Sequence, residues 1–425
     1  GGITLAAGAT LGVAGTIAAA GTAVLLSIND VLRLESGWAL QGTVAGGGGN
    51  TLALGGTAPF TFSLPQIATT FADFQTLRVD PGATVTQTGT GTLASGVTLT
   101  VFGTLINDGT MITGLGKLKV DPASLINHGY IGGTVTLVDS SYLGNSATGT
   151  IAGGTFAVIA PAQAGVAATV VNYGNIASAN TFGGVGISLA AGRVANLGSA
   201  AQVTGYFNGV KIFYDAGTVT NSGTIAASQG VGVVLAYGGP VANYAGGLIR
   251  GGTGIALFTG SPSGFTIGEP GIVTNAGTIV GTAGPGVSFA ASGTVILSGT
   301  ISGSGGTAIQ FGGTNAYFGA TGGNLLVLEF GYDLVGGVYG SVSATNTVEL
   351  LGTVGAGVTV DYNGLGLTNF EDVLFSGGGY ATLLVTNTTG TLGVTISGFD
   401  QTSEVIDLTG SAATGRSAIS TPSPT

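Results

Sequence analysis

Three consecutive stretches decide the fold: GVGISLAAGRVANLGSAAQVTG (184–205), NGVKIFYDAGTVTNSGTIAAS (208–228) and GVGVVLAYGGPVANYAGGLIRGG (230–252). Each opens on Gly, runs through an alternating apolar segment and crosses a small-residue turn. A second alternating segment follows, then Asn-x-Gly or a relative of it, and a third short apolar segment. The pattern goes on through TGIALF and GIVTNAGTIVGTAGP, which an insertion separates, to GVSFAASGTVILSGTISGSG (286–305). A period in the low twenties with three short strands per copy is the mark of a solenoid. Side chains in a strand alternate between its two faces. In VTNSGTI, Val219 therefore points inward, Asn-Ser-Gly makes a corner, and Ile225 begins the next inward face. One copy cannot bury its apolar side alone, whereas stacked copies bury one another's and pair in parallel.

The expected fold is an all-β parallel β-helix, or β-solenoid, rod-shaped and right-handed like most parallel crossovers. At about 22 residues per turn and about 4.8 Å per turn, the chain would make roughly 18 turns over roughly 90 Å. The corner Asn recurs at Asn107, Asn127, Asn172, Asn196, Asn221, Asn243 and Asn275, with Ser298 expected in the same place afterwards. Asn and Gly tolerate left-handed backbone angles and suit tight corners. An Asn repeated at one corner can also form an amide ladder between turns.

Composition agrees with a packed core and narrows the partners. Of 425 residues, 44% are hydrophobic and only 6% charged, the reverse of a disordered chain. There are 84 Gly without a G-X-Y period and only 11 Pro, which excludes collagen. A net charge of −10 without a basic run argues against nucleic acid. Cys is absent, so neither disulfides nor zinc thiolates contribute. No transmembrane segment is expected. The uncharged residues 1–29 are broken by Gly and alternate like strands.

Four regions are expected. Residues 1–139 hold N-terminal solenoid turns with a Phe/Pro-rich insertion (Pro59, Pro65, Phe60, Phe62, Phe71, Phe74). Residues 140–313 hold the regular Asn-x-Gly repeats, with one degenerate turn near 140–170. Residues 314–410 hold C-terminal turns, and 411–425 read as linker or disorder. TNFEDVLFSGGG (368–379) echoes ADFQTLRVDPGA (72–83) and suggests a second repeat type whose Phe plugs the coil. Trp38 reads as local core.

VTNSGTIAAS, VTNAGTIVGT and VVNYGNIAS resemble the repeats of bacterial autotransporter passengers and related secreted β-strand-repeat surface proteins. The resemblance covers most of the chain from about Asn107 to Ile301 and, more loosely, both ends. It implies an extracellular or cell-surface setting and a role as adhesin, biofilm component or surface fibre. The ending ISGFDQTSEVIDLTG is similar to a segment found at the end of secreted repeat proteins. A β-barrel translocator and the calcium-binding nonapeptide are both missing from the sequence.

Little in the sequence carries chemistry, and no enzyme is expected. Glycoside cleavage usually needs two nearby carboxylates. Asp215 and Glu269, about two turns apart, are too loosely spaced to form such a pair. His128 is the only histidine, so any Ser-His-Asp arrangement would have to use it. Its place in Asn-His-Gly reads as an exposed corner, where other copies carry Asp108, Tyr173 and Ser222. Gly116-Lys117 lacks the rest of a P-loop, with Met111 upstream and Leu118 following. Asp400, Glu404 and Asp407 form the densest acidic group near the end and are a weak Ca²⁺ candidate; no other cofactor is implied. The alternative for them is a charged terminal turn that discourages stacking.

The sequence thus points to a non-enzymatic structural or adhesive surface protein. Its expected partners are its own ends, a host or neighbouring-cell surface, or glycans. The Ser261–Pro270 insertion is the candidate presenting loop. The alternative is a polysaccharide-binding or polysaccharide-cleaving β-helix, with Tyr206, Tyr214, Tyr237 and Tyr244 as a sugar-stacking face.

Overall fold

Apolar residues alternating with Thr, Ser and Gly form short strands whose inward side chains stack mostly on their own kind. The computed structural model describes residues 2–71, 74–161, 167–258, 270–312, 323–386, 393–400 and 402–408. The chain divides into two compact units, Gly1–Tyr206 and Phe207–Thr425. Each is a parallel β-solenoid, and together they hold about 16 turns. That is fewer than the length divided by the repeat suggests, because several turns carry extra residues between their strands.

In the first unit a regular turn has three strands, exemplified by Thr98–Val101, Thr104–Asn107 and Thr110–Ile112. Each pairs in parallel, in register, with its counterpart one turn on. Leu105, Leu125, Leu143, Val170 and Val194 form one inward column. Met111, Ile131, Ile151, Ile176 and Val203 form another. All ten are buried. Each such side chain contributes about 1.5–3 kcal/mol by leaving water. The stretch 140–170, expected to be degenerate, makes a complete turn with strands Tyr142–Asn145, Thr150–Gly153 and Phe156–Ala160.

Thr10–Val13, Val31–Leu34, Thr51–Leu54 and Thr76–Val79 stack in order. Beside them Trp38, Phe62, Phe71 and Phe74 form a cluster with ring centroids 6.0–6.3 Å apart. Phe71 is fully buried, and Trp38 lies half-buried on it. Pro65–Thr69 is a single helical turn between Phe62 and Phe71, with Pro at a helix start, where its missing N–H costs nothing.

In the second unit Val219, Val241, Val273, Val295, Leu326, Val348 and Val373 make the equivalent column. Phe289 and Phe311 stack inside at 5.1 Å, and Phe311 meets Phe370 edge-on at 6.3 Å. Phe370 and Phe74, paired by the sequence echo, are both core residues. Towards the end of this unit a separate three-strand sheet forms from Val358–Asp361, Ala381–Leu384 and Glu404–Asp407. No helix among the described residues is long and apolar enough to cross a membrane.

Candidate functional site

The Asn corner is the most elaborate side-chain arrangement in the molecule. In the turns from Asn107 to Asn275, Asn ends the second strand with its side chain inward, among apolar columns, where an unpaired amide would be costly. In the first unit, Asn107 Nδ2 donates to Asn127 Oδ1 at 2.7 Å and Asn127 Nδ2 to Asn145 Oδ1 at 2.8 Å. Asn145 Nδ2 donates to Asn172 Oδ1 at 2.7 Å, and Asn172 Nδ2 to Asn196 Oδ1 at 2.8 Å. In the second unit, Asn221 donates to Asn243 and Asn243 to Asn275, each at 2.8 Å. Each amide also reaches backbone carbonyls, such as Gly129 O and Thr150 O from Asn127. The side chains are fully buried.

Three details differ from the sequence reading. Asn145 is a rung it missed, because the corner runs Asn145-Ser-Ala-Thr-Gly149, two residues longer than Asn-x-Gly. Leu297, not Ser298, pairs with Asn275; Ser298 is one residue further round the corner. Left-handed angles are not why the ladder asparagines stand here, although the corner glycine Gly198 does adopt one, with φ 92°. No ladder Asn has positive φ, and neither does Gly129. What Gly129 supplies is space, since a Cβ there would lie 2.0 Å from Gly109 O.

A second ladder, which the sequence did not suggest, begins where the first stops. Asn324 and Asn346 stand in register at the opposite, N-terminal end of the second strand. Asn324 Oδ1 accepts from Gly293 N at 3.0 Å, and Asn324 Nδ2 donates to Asn346 Oδ1 at 2.7 Å. Glu371 closes it, its Oε2 accepting from Asn346 N at 2.8 Å and Nδ2 at 3.2 Å.

The titratable groups are dispersed. Arg33, Arg78 and Lys119 point outward, and each finds an acid close by in the fold. Arg33 pairs with Asp80 at 3.0 Å and Glu35 at 3.4 Å, Arg78 with Asp80 at 2.6 Å, and Lys119 with Asp121. His128 Nδ1 lies 2.8 Å from Asp108 Oδ1 on the exposed corner one turn before it. The nearby Thr148 hydroxyl donates to the His128 carbonyl. Asp215 is exposed and accepts from Ala216 N. Glu269, which the sequence reading judged too loosely spaced to pair with it, lies outside the described residues, as do most of the Ser261–Pro270 insertion and the 411–425 tail.

The acidic group near the end does not converge as a ligand set. Asp400 accepts from the N–H and hydroxyl of Thr402, and these bonds hold its carboxyl below the usual range. Glu404 turns inward, in register with Ala381 and Val358, and accepts from Asp400 N. Burial pushes its carboxyl up. Asp407 lies at the far end of that strand, in register with Leu384. Strand alternation and separate hydrogen bonds thus divide the three. Among the described residues no group of three or more His, Cys, Asp or Glu is placed to hold a metal ion. Tyr332, whose hydroxyl donates to Thr359 O, is pushed up to about 12 by burial and then by the Asp361 charge.

Of the expected stacking tyrosines, the three in the second unit do not share one face. Tyr214 and Tyr237 share a corner on successive turns of the second unit, Tyr244 follows Asn243 at a different corner, and Tyr206 belongs to the first unit. The corner of Tyr214 and Tyr237 carries an aromatic column. Ile212, Leu235, Leu257 and Phe289 are inward and in register. Their successors Phe213, Ala236, Phe258 and Ala290 therefore stack on the outside, and the backbone ladder continues through Ala236 N, Phe258 N and Ala290 N. Lys211 Nζ lies 5.6 Å from the Phe213 ring centroid.

Comparison with protein-family models, curated proteins and solved structures finds no match to this chain.

Proposed function

We propose that this chain is a non-enzymatic extracellular structural or adhesive surface protein of a bacterium. Its stacked turns would persist outside the cell and present corners and loops to other surfaces, or join end to end. The observation that supports it most is the amide ladder. Successive turns of each unit are joined by buried side-chain bonds as well as by the backbone. Such a core is organised for persistence rather than for movement around a substrate. The resemblance of its repeats to those of autotransporter passengers favours the same setting.

Electron microscopy of the purified chain across a concentration series separates the two forms of the proposal. Filaments that lengthen with concentration support end-to-end assembly; separate particles throughout support presentation by single chains. Time-dependent release of reducing ends from a polysaccharide, lost on Asp215→Asn, would replace the proposal with a catalytic one.

A further inference from the structure

The outer column at one corner of the second unit alternates large and small: Phe213, Ala236, Phe258, Ala290. Rings on alternate turns stand about 10 Å apart, at about 4.8 Å per turn. Each alanine leaves a gap one turn wide beside a ring. Phe258 is 43% exposed, and Tyr214, on the turn of Phe213, is 48% exposed. Phe is normally core, so outward Phe repeated at one column wants a reason.

We propose that this corner binds a neutral glycan chain running along the stack of turns, its sugar rings lying against Phe213 and Phe258. This deepens the adhesive reading and rests on it. The chemistry separates a glycan from an apolar peptide. A peptide face needs contiguous apolar area. Here single rings are separated by gaps and rimmed by polar groups. A sugar offers C–H faces to isolated rings and hydroxyls to their surroundings. The Asp215 carboxylate accepts hydrogen bonds, the Lys211 ammonium beside the Phe213 ring donates them, and the Tyr214 hydroxyl does either. Among the described residues of the rim, Lys211 and Asp215 supply one cation and one anion, a balance that suits a neutral chain.

The test is native affinity electrophoresis of the full chain through gels containing laminarin, mixed-linkage β-glucan or dextran, with alginate as the charged comparator. The wild-type protein is expected to be retarded by at least one neutral polysaccharide. Phe213→Ala/Phe258→Ala should weaken that retardation about tenfold or more, as loss of two stacking rings requires. Ala236→Phe, which fills the gap and removes no ring, should weaken it too. Both are read beside circular dichroism, and the second keeps the test valid should the first fail to fold. Phe182→Ala, at a 92% exposed ring in the first unit, should change nothing. Unchanged retardation in both corner variants overturns the site, as does retardation by alginate alone or by none of the polymers. Unchanged retardation in both variants together with intact adhesion would remove the glycan site while leaving the adhesive reading in place.

Discussion

Asn127 shows what a single rung does. Its amide gives to Asn145 and two carbonyls and takes from Asn107, and the side chain is fully buried. Asn127→Ala leaves these partners unsatisfied, so a loss of about 2–4 kcal/mol is expected in chemical denaturation. Asn127→Asp keeps the shape and removes the donor; it should cost at least as much. The start of the ladder offers the opposite experiment. Gln87 stands in register before Asn107, but its Nε2 turns to Thr88 O and Gly89 O. Gln87 Oε1 and Asn107 Oδ1 are left without partners. Gln87→Asn, one methylene shorter, would bring a donor to Asn107 and should stabilise by about 0.5–1.5 kcal/mol. Glu404 carries a pH dependence. Its carboxyl is pushed up from 4.5 by burial, so its contribution is present below that value and lost as pH rises through the higher folded one. Amide exchange in Glu404–Asp407 should be slower in acid than at neutral pH, relative to intrinsic rates. Glu404→Gln should flatten the difference. Seven ladder asparagines were legible because they recur before Gly with apolar flanks. Asn145 was hidden by a longer corner, and Asn346 by a shift to the other strand end.

At the scale of the element, the corner depends on close approach. Stacked turns pass so near that Gly129→Ala would set a methyl against Gly109 O. The corner must open to admit it, and about 1–3 kcal/mol of destabilisation is expected, with the loss read as a lowered melting temperature. Strand identity was plain in the sequence, since Ile151, Val219 and Ile225 alternate with polar or small neighbours. The outer aromatic column was not. Phe213 and Phe258 lie far apart in sequence, and only exact register shows that Ala236 separates them. The tyrosines were more visible in the sequence, yet their corners differ. The same limit applies to Asp400, Glu404 and Asp407: proximity in sequence does not survive strand alternation, which sends Glu404 inward.

For the whole molecule, charge follows the chain unevenly. From Pro270 to Leu408 there are Asp and Glu but no Lys, Arg or His, whereas the cations of the first unit include Arg33 and Arg78, which share Asp80, and Lys119, which pairs with Asp121. With so few charges, many outward strand positions are taken by Thr and Ser. The solenoid class was legible from period and alternation together. The turn count was overestimated because inserted residues contribute length without adding turns. The most direct measurement is adhesion by a non-adherent bacterium displaying the chain on its surface. Autoaggregation or attachment to host-cell monolayers several-fold above the empty display scaffold is predicted. Display at full level with attachment no greater than the scaffold's, on both kinds of surface, would contradict the account.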